Sequence, residues 1–438
     1  MPASDRRVVI TGLGLISPLG NSPTELKESL DSGRSGIAKM DLLPTDHLPA
    51  DFGGECKQFT GKIDNFGPLE KKMQRSIKKG LRLMCREIQM GVAASQLAIT
   101  DAGLTPESCD PTRIGTLFGS DYIITRPEEF ASGVQSCLND QQEFQMNQWA
   151  DNGLAKVEPL WLLKYLPNMP ASHVAIYNQL RGPSNSLTVR EASPSLAIAE
   201  ATTIIQRGTA DIMVAGATGS RIQPLRTLHV VLQEQLADRN AAVAGGDPTK
   251  ACRPFDVDRN GIVLGEGAGV MILEEFEFAK ARGAKILGEV IGYGSSSVAS
   301  PAGVANYQTA FQNVIEGALE TSELSAADIG HVHAHGLGTI RCDAEEAKAI
   351  NATLGDTPVV AAKSLMGNLG GGSGMVEMIG SLLAVNDGQL FPTANCDSLD
   401  PACPINLVTQ PGTAAGDTFI NLNVTPQGQA SSIAIRKA

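Results

Sequence analysis

Long apolar runs, paired cysteines and an excess of positive charge are all missing from this sequence. No stretch approaches the ~20 apolar residues that a membrane-spanning helix needs, and no signal peptide opens the chain, so we expect a cytoplasmic protein without a membrane span. The eight cysteines form no CxxC pair, which favours free thiols over a disulfide framework. The net charge of -12 argues against general nucleic-acid binding.

The sequence is rich in glycine and in alternating strand and helix patterns. It contains 46 glycines but only 4% aromatic residues, and its 42% apolar and 19% charged residues are typical of a globular enzyme. Short apolar runs alternate with helical segments in both halves of the chain, which predicts an α/β fold with buried sheets. The segment of about residues 121–180, with several prolines, is predicted to be a cap or insertion.

The stretch SLTVREASPSLAIAE, residues 186–200, predicts a strand, a tight turn and a buried helix. Ser193 is a candidate N-cap and Pro194 is suited to the first helical position. Many enzymes carry a nucleophile at such a corner, yet this turn carries the carboxylate of Glu191.

Five segments that follow one another along the chain carry recognisable motifs: RRVVITGLGLISPLGNS, NQLRGPSNSLTV, CRPFDVDRNGIVLGEGAGVMILEE, HAHGLGTIRCDAEEAKAI and AAKSLMGNLGGGSG. Together they resemble the β-ketoacyl-acyl-carrier-protein synthases, the condensing enzymes of fatty-acid and polyketide synthesis. The resemblance implies a thiolase-type fold, in which two similar α/β halves form a five-layered dimeric core with the active site between the halves. We place the halves at residues 1–257 and 258–438.

The resemblance also assigns the catalytic positions, and two of them hold an unexpected residue. The family's nucleophilic cysteine corresponds to Glu191, and no cysteine lies within fifty residues of it. Of the two family histidines that promote decarboxylation, one is kept as His335 and the other corresponds to Asn368. The family lysine is Lys363, and its usual acidic partner matches Glu346.

The gating loop of the family is also altered. Its phenylalanine corresponds to Gln427, and Gly428 is the one loop glycine that remains in NLNVTPQGQASSIAI, residues 421–435. Pro426 is expected to stiffen a loop that must move in the family.

These departures favour a non-condensing, chain-length-factor-like subunit in which Glu191 seals the old acyl site. Such subunits commonly have glutamine at this position, so Glu191 departs from that pattern as well. The alternative is an acyltransferase or malonyl decarboxylase of residual or altered activity that uses Glu191 and His335 as an acid–base pair. Asn368 counts against that alternative. Either interpretation implies an acyl carrier protein as a partner, a homodimer or a heterodimer with an active ketosynthase, and no cofactor.

A metal site is a further alternative, because the segment HVHAH places three histidines at alternate positions of one predicted strand. They are His331, His333 and His335. The family keeps a histidine only at the position of His335, so we expect the other two to be surface or packed histidines and predict no metal.

A basic segment at residues 71–86, KKMQRSIKKGLRLMCR, contains seven Lys or Arg and no acid. It is either a solvated helix face or a docking patch for the acidic carrier protein, in which Lys71, Lys72 and Arg75 are the candidate contacts.

Overall fold

The computed structural model describes residues 6–105, 108–238 and 246–438. The strands are β1 Val8–Ile16, β2 Ala38–Lys39, β3 Phe52–Gly53, β4 Ile114–Ser120, β5 Ser184–Thr188, β6 Ile212–Ser220, β7 Glu266–Glu275, β8 Gly288–Ser297, β9 His331–His333, β10 Pro358–Val360, β11 Asn406–Leu407, β12 Thr418–Val424 and β13 Gln429–Lys437. The helices are α1 Pro23–Ser32, α2 Lys71–Gly80, α3 Arg86–Asp101, α4 Glu128–Gln135, α5 Met169–Asn178, α6 Ser193–Gln206, α7 Pro224–Gln233, α8 Phe276–Ala281, α9 Tyr307–Ser322, α10 Ile340–Leu354, α11 Lys363–Met366 and α12 Ser373–Asp387.

The large sheet is built from two halves with the same strand order and the same directions. One half runs β5-β4-β6-β7-β1 and the other β10-β9-β12-β13-β8, and in each half two parallel pairs are followed by two antiparallel pairs. The halves meet where β1 pairs with β8, and β11 is added beside β10. This repeat confirms the predicted α/β fold with two similar halves.

Five layers result from the way the helices cover these halves. Helices α6 and α12 contact strands of both halves and each other, so they form the central layer. Helices α3 and α5 cover the first half, and α9 and α10 cover the second. Helix α12 is apolar and buried almost throughout, as a central helix must be.

The predicted boundary between the halves, at residue 257, lies before β7. Because β7 pairs with β6 and β1, a division by strand pairing falls between β7 and β8. The domain limits themselves stay a prediction. No helix among the described residues has the combination of length and apolar character that crossing a membrane requires.

The corner that carries Glu191 consists of β5, a single 3-10 turn at Arg190–Ala192, and α6. Ser193 is the first residue of α6 and not its N-cap, in contrast to the prediction. Its Oγ accepts a hydrogen bond from the Val189 N–H and donates one to the Ser120 carbonyl, both at 2.8 Å, which ties the corner to the end of β4. Arg190 adopts a left-handed conformation with φ of 51°, which directs its side chain into the site.

Candidate active site

Glu191 is buried, with 1% of its surface exposed, and its carboxylate contacts side chains of three other residues. Oε1 forms an ion pair with the Arg221 guanidinium and accepts a hydrogen bond from Asn368 Nδ2 at 3.3 Å. Oε2 lies 3.5 Å from Arg190 Nε. The arginine side chains therefore compensate the charge of this carboxylate.

Glu191 belongs to a wider network of buried ion pairs. Arg221 contacts Glu234 at 3.0 Å as well as Glu191, and Arg190 contacts Glu234 at 2.5 Å. Three cations and three carboxylates, each with less than a tenth of its side chain exposed, make up this set: Asp121, Arg190, Glu191, Arg221, Arg226 and Glu234. The equal number of opposite charges allows all six to be buried together.

Burial and charge act in opposite directions on the ionisation of this network. Burial would raise the pKa of Glu234, but Arg221 and Arg190 together hold it below its usual range. Burial lowers the pKa of Arg221, and its carboxylate partners oppose that shift. Pairing therefore favours the charged forms of Glu234 and Arg221 and opposes the effect of their burial.

A small pocket of about 220 Å³ reaches this network from the side of the β12–β13 turn. Glu234 lines the pocket together with residues such as Leu337, Thr339 and Thr425. Glu234 is also bound to Arg190 and Arg221, so this wall of the pocket belongs to the ion network.

His335 lies at the end of β9 in a fully buried position. Its Nδ1 is 3.3 Å from Asn423 Oδ1 and 3.4 Å from Lys363 Nζ. Burial and the nearby Lys363 charge hold the pKa of His335 well below its usual value. The ring is therefore neutral near pH 7, and it can act there as a hydrogen-bonding group but not as a cation.

The acidic partner of Lys363 is Glu377 and not Glu346, which corrects the sequence prediction. Lys363 Nζ forms an ion pair with Glu377 and donates to the His335 carbonyl at 2.7 Å. Glu346 instead accepts the backbone N–H groups of His335 and Gly336, at 2.6 and 2.9 Å. Burial raises the pKa of Glu346 to about 8. Glu346 therefore shapes the backbone around His335, while Glu377 neutralises the lysine.

Glu377 was missed from the sequence, although a signal was present. It is a single acidic residue within the first twelve residues of the otherwise apolar helix α12, and a buried acid in such a helix needs a partner. Its Oε2 also accepts from Asn421 Nδ2 at 3.2 Å and from Asn423 Nδ2 at 3.4 Å. Glu377 thus connects Lys363 with Asn423, and both of these residues lie next to His335 Nδ1.

Asn368 is held rigidly at the position expected for the second histidine. Its Oδ1 accepts from the Gly370 N–H at 3.0 Å and from Ser373 Oγ at 3.1 Å. These bonds direct Nδ2 toward Glu191. The amide therefore serves to hold the Glu191 carboxylate.

The loop that carries Gln427 and Gly428 is a tight turn between β12 and β13. The Gly428 N–H donates to the Thr425 carbonyl at 2.9 Å, and Tyr307 Oη donates to the Pro426 carbonyl at 3.2 Å. Gly428 has φ of 83°, and a Cβ there would lie 2.3 Å from the Val298 carbonyl oxygen. Gln427 is exposed, and its Oε1 accepts from Arg190 Nη1 at 3.4 Å, so the loop is tied to the buried network.

His331 and His333 are buried and engaged in hydrogen bonds within the protein. The ring nitrogens of His331 lie 2.9 Å from the Ala415 carbonyl and from Ser381 Oγ. Those of His333 lie 2.8 Å from Ser381 Oγ and 3.3 Å from the Ala362 backbone N. In the part of the chain that the structure describes, no group of three potential metal ligands comes together. Of the two roles that the sequence left open for His331 and His333, surface or packed, the structure shows the packed one.

Lys71, Lys72 and Arg75 lie on α2 and are exposed, whereas Ile77 on the same helix is buried. None of the three makes an ion pair within the described residues. The helix thus presents a cationic surface to solvent and packs through its apolar side.

The arginines of the network, and the acids Asp121 and Glu234, were not predicted as site residues. Arg190 directly precedes Glu191, and Arg221 directly follows the buried strand β6. A carboxylate in a buried corner requires a positive partner, and this requirement was the signal in the sequence that could have indicated nearby arginines. Their meeting depends on the fold, since Arg221 is thirty positions away from Glu191 along the chain.

Comparison with known families shows to which family the chain belongs. The model of the β-ketoacyl synthase N-terminal domain matches residues 5–279, and that of the C-terminal domain matches residues 287–397. The chain belongs to the β-ketoacyl synthase family. It is similar to the 3-oxoacyl-(acyl-carrier-protein) synthase 2 of Synechocystis sp., with 34% identity over 92% of this chain and 91% of the relative. The synthase 2 of Vibrio cholerae is also 34% identical, over 92% of each chain.

Solved structures of the same family superpose over almost the whole β-ketoacyl synthase chain. A β-ketoacyl synthase from Burkholderia phymatum has a TM-score of 0.85 and 27% identity, and the match covers 99% of this chain and 100% of that one. The ishigamide ketosynthase/chain length factor has a TM-score of 0.83 and 25% identity, with 99% of each chain covered. The thiolase-like fold is thereby confirmed.

Proposed function

We propose that this β-ketoacyl synthase family member is a non-condensing subunit that acts beside an active ketosynthase in fatty-acid or polyketide assembly. The observation that carries this proposal is the buried ion pair between Glu191 and Arg221 at the position of the family nucleophile. A carboxylate whose charge is neutralised in this way is a poor nucleophile, and the ion pair occupies space that an acyl group would need.

Two further features support a subunit that does not condense. Asn368 binds the Glu191 carboxylate, so the second histidine position is committed to the ion network. Glu234, which lines the pocket beside the β12–β13 turn, is paired with Arg190 and so belongs to the same network. The likeness to a ketosynthase/chain length factor structure is consistent with this role.

The proposed partners are an acyl carrier protein and a second ketosynthase-fold chain. The exposed cations of α2 suit an acidic carrier protein. Strand β5 hydrogen-bonds within the described residues to β4 alone, which leaves its outer edge open for a neighbouring chain. Ile176 on the adjacent helix α5 is 66% exposed and provides apolar area beside that edge.

A malonyl decarboxylase or other acyltransferase is the second candidate function. It is favoured by the intact surroundings of His335, which include Lys363, Glu377 and Asn423. In the structure, however, Glu191 is bound to Arg221 and Asn368, so an acid–base pair with His335 would require the ion network to open.

Incubation of the purified protein with malonyl-carrier protein, with and without an acyl-carrier protein, distinguishes these functions. Mass spectrometry and CO2 release should show neither decarboxylation nor condensation from this chain alone. Addition of a cysteine-bearing ketosynthase encoded beside it should yield products whose length depends on this chain. Condensation by the protein alone would refute the proposal, and CO2 release without condensation would favour the decarboxylase.

A further inference from the structure

A separate cavity of about 400 Å³ lies between the start of α3, the segment after β4 and the start of α7. Its volume falls within the range of about 300–1,000 Å³ that is common for small-molecule sites. Met84, Ile123 and Ile222 supply apolar walls, and Glu87 and Arg226 supply polar groups. Neither Glu87 nor Arg226 has a position in the family's catalytic set as described above.

Arg226 lines this cavity and has two buried hydrogen-bond donors without a partner among the residues that the structure describes. The residue is 2% exposed, and its Nη2 is bound to Asp121. Its Nε and Nη1 make no hydrogen bond to any residue that the structure describes. The guanidinium carbon lies 4.0 Å above the centre of the Tyr122 ring, so the group is held in place. Buried donors of this kind are costly unless an acceptor meets them.

Glu87 is the second polar group of the cavity, and it makes no ion pair with Arg226. Its Oε2 has no hydrogen-bond partner among the described residues. Burial, and then the nearby charge of Asp121, raise the pKa of Glu87 to about 8. At neutral pH the carboxyl group is therefore protonated and can donate a hydrogen bond.

We propose that this cavity binds an amphipathic monocarboxylate, with its carboxylate between Arg226 and Glu87 and its chain against Met84, Ile123 and Ile222. A carboxylate offers only acceptors, which match the donors of the guanidinium. A monoanion is favoured over a dianion because Arg226 already shares its charge with Asp121. This ligand site is additional to the proposed role as a partner subunit, because binding of the monocarboxylate requires neither a carrier protein nor a second chain.

Isothermal titration calorimetry of the purified full chain at pH 7 tests this site with sodium octanoate and the neutral 1-octanol. Octanoate should bind at least tenfold more tightly than octanol. Arg226→Gln should lower the affinity for octanoate at least tenfold, whereas Arg126→Gln, at an arginine of the same cavity that is half exposed, should change it less than threefold. Ile123→Trp should block binding by filling the cavity without a change of charge.

Equal affinities for octanoate and octanol would overturn the proposal, as would tight binding to the Ile123→Trp variant. Because Arg226 pairs with Asp121, its variant must first show the wild-type circular dichroism and a cooperative melting curve. If Arg226→Gln does not fold, Arg226→Lys, which keeps the charge but loses the planar donors, is the second variant, and unchanged octanoate affinity in it would refute the role of the guanidinium.

The pH dependence provides a test of Glu87 in the same assay. Asp121, Arg226 and Glu266 face its carboxyl group, and Cys85 lies beside it on the chain. Above its pKa, the ionised Glu87 repels the ligand, so affinity for octanoate should fall roughly tenfold between pH 7 and pH 9. Glu87→Gln keeps a hydrogen-bond donor without titrating and should abolish that fall. A flat wild-type profile, or the same fall in Glu87→Gln, would contradict the assignment.

Discussion

At the scale of single residues, the decisive feature is that the charge of Glu191 is compensated by side chains and not by the helix end. Arg221 is completely buried and contacts both Glu191 and Glu234. A buried ion pair adds little net stability, but removal of one partner leaves the other charge without compensation. The Glu191–Arg221 ion pair is therefore a structural requirement of the folded chain.

Replacement of Glu191 by alanine should consequently destabilise the protein. We expect a loss of about 3–5 kcal/mol in the free energy of unfolding, since Arg221 would keep a buried charge with one partner fewer. Urea denaturation followed by circular dichroism measures this loss. Glu128→Ala, at a side chain that is 67% exposed, is the matched control and should change stability by less than ~0.5 kcal/mol.

The double variant Glu191→Ala/Arg221→Met separates the contribution of ion pairing to stability from the contribution of packing. It removes both partners of the pair, so it should recover at least half of the stability that Glu191→Ala loses. A double variant that is less stable than the single one would show that Glu191 acts by filling space and not by pairing with Arg221.

At the scale of elements, the turn between β12 and β13 and the helix α2 have opposite characters. The turn is tied down by hydrogen bonds of Gly428 and of the Pro426 carbonyl, and it contacts Arg190 through Gln427. Helix α2 instead carries Lys71, Lys72 and Arg75, which form no ion pair with any residue that the structure describes. The turn is thus held by contacts within the chain, whereas these cations of α2 face solvent.

Charge reversal on α2 tests the proposed docking surface. The triple variant Lys71→Glu/Lys72→Glu/Arg75→Glu should weaken binding of an acyl carrier protein at least tenfold, with the largest effect at low salt. Surface plasmon resonance at two salt concentrations measures it.

The matched control for α2 places the same charge change elsewhere on the surface. Arg207, Lys285 and Lys348 are exposed and lie outside α2, so their replacement by glutamate gives the same net charge. If this control weakened carrier binding as much as the α2 variant, net charge and not the helix would be responsible, and α2 would be a solvated helix face.

At the scale of the whole molecule, the open edge of the sheet is the feature that bears on assembly. β5 is the outermost strand of the first half, and the Ser186 N–H donates to the Asn185 side chain at 2.8 Å and not to β4. This amide is directed away from the sheet, where a strand of another chain could accept its hydrogen bond.

Ser186→Pro should therefore prevent pairing through β5 while it leaves the β4–β5 ladder in place. Light scattering after size exclusion is expected to show a dimer, either of the pure chain or of a mixture with an active ketosynthase, and a monomer of 46.0 kDa for the variant. Ser186→Ala keeps the amide and should assemble like the wild type. A Ser186→Pro variant that still dimerised would place the interface elsewhere.

Local sequence was sufficient for much of this description. The strand–turn–helix corner, the exposed basic helix and the α/β alternation depend on periodicity and on turn residues within short windows. The ordered motifs also led directly to Glu191, His335, Asn368 and Lys363, which lie in the same region of the fold. The start of α6 at Ser193 differed from the prediction because the side chain of that residue bonds to Val189 and Ser120 and does not cap the helix.

By itself, the sequence determined which chemical groups stand at the positions that we matched to the family's catalytic set, since a glutamate cannot form a thioester in any fold. Tertiary structure alone decided how those groups are partnered. Lys363 lies closer along the chain to Glu377 than to Glu346, yet sequence distance gives no orientation, and only packing directs Glu377 toward the lysine. Arg221 likewise becomes the counter-ion of Glu191 because β6 and α6 are brought together in space. Burial then gives these pairs their strength, because a charge withdrawn from water must be matched by another charge nearby.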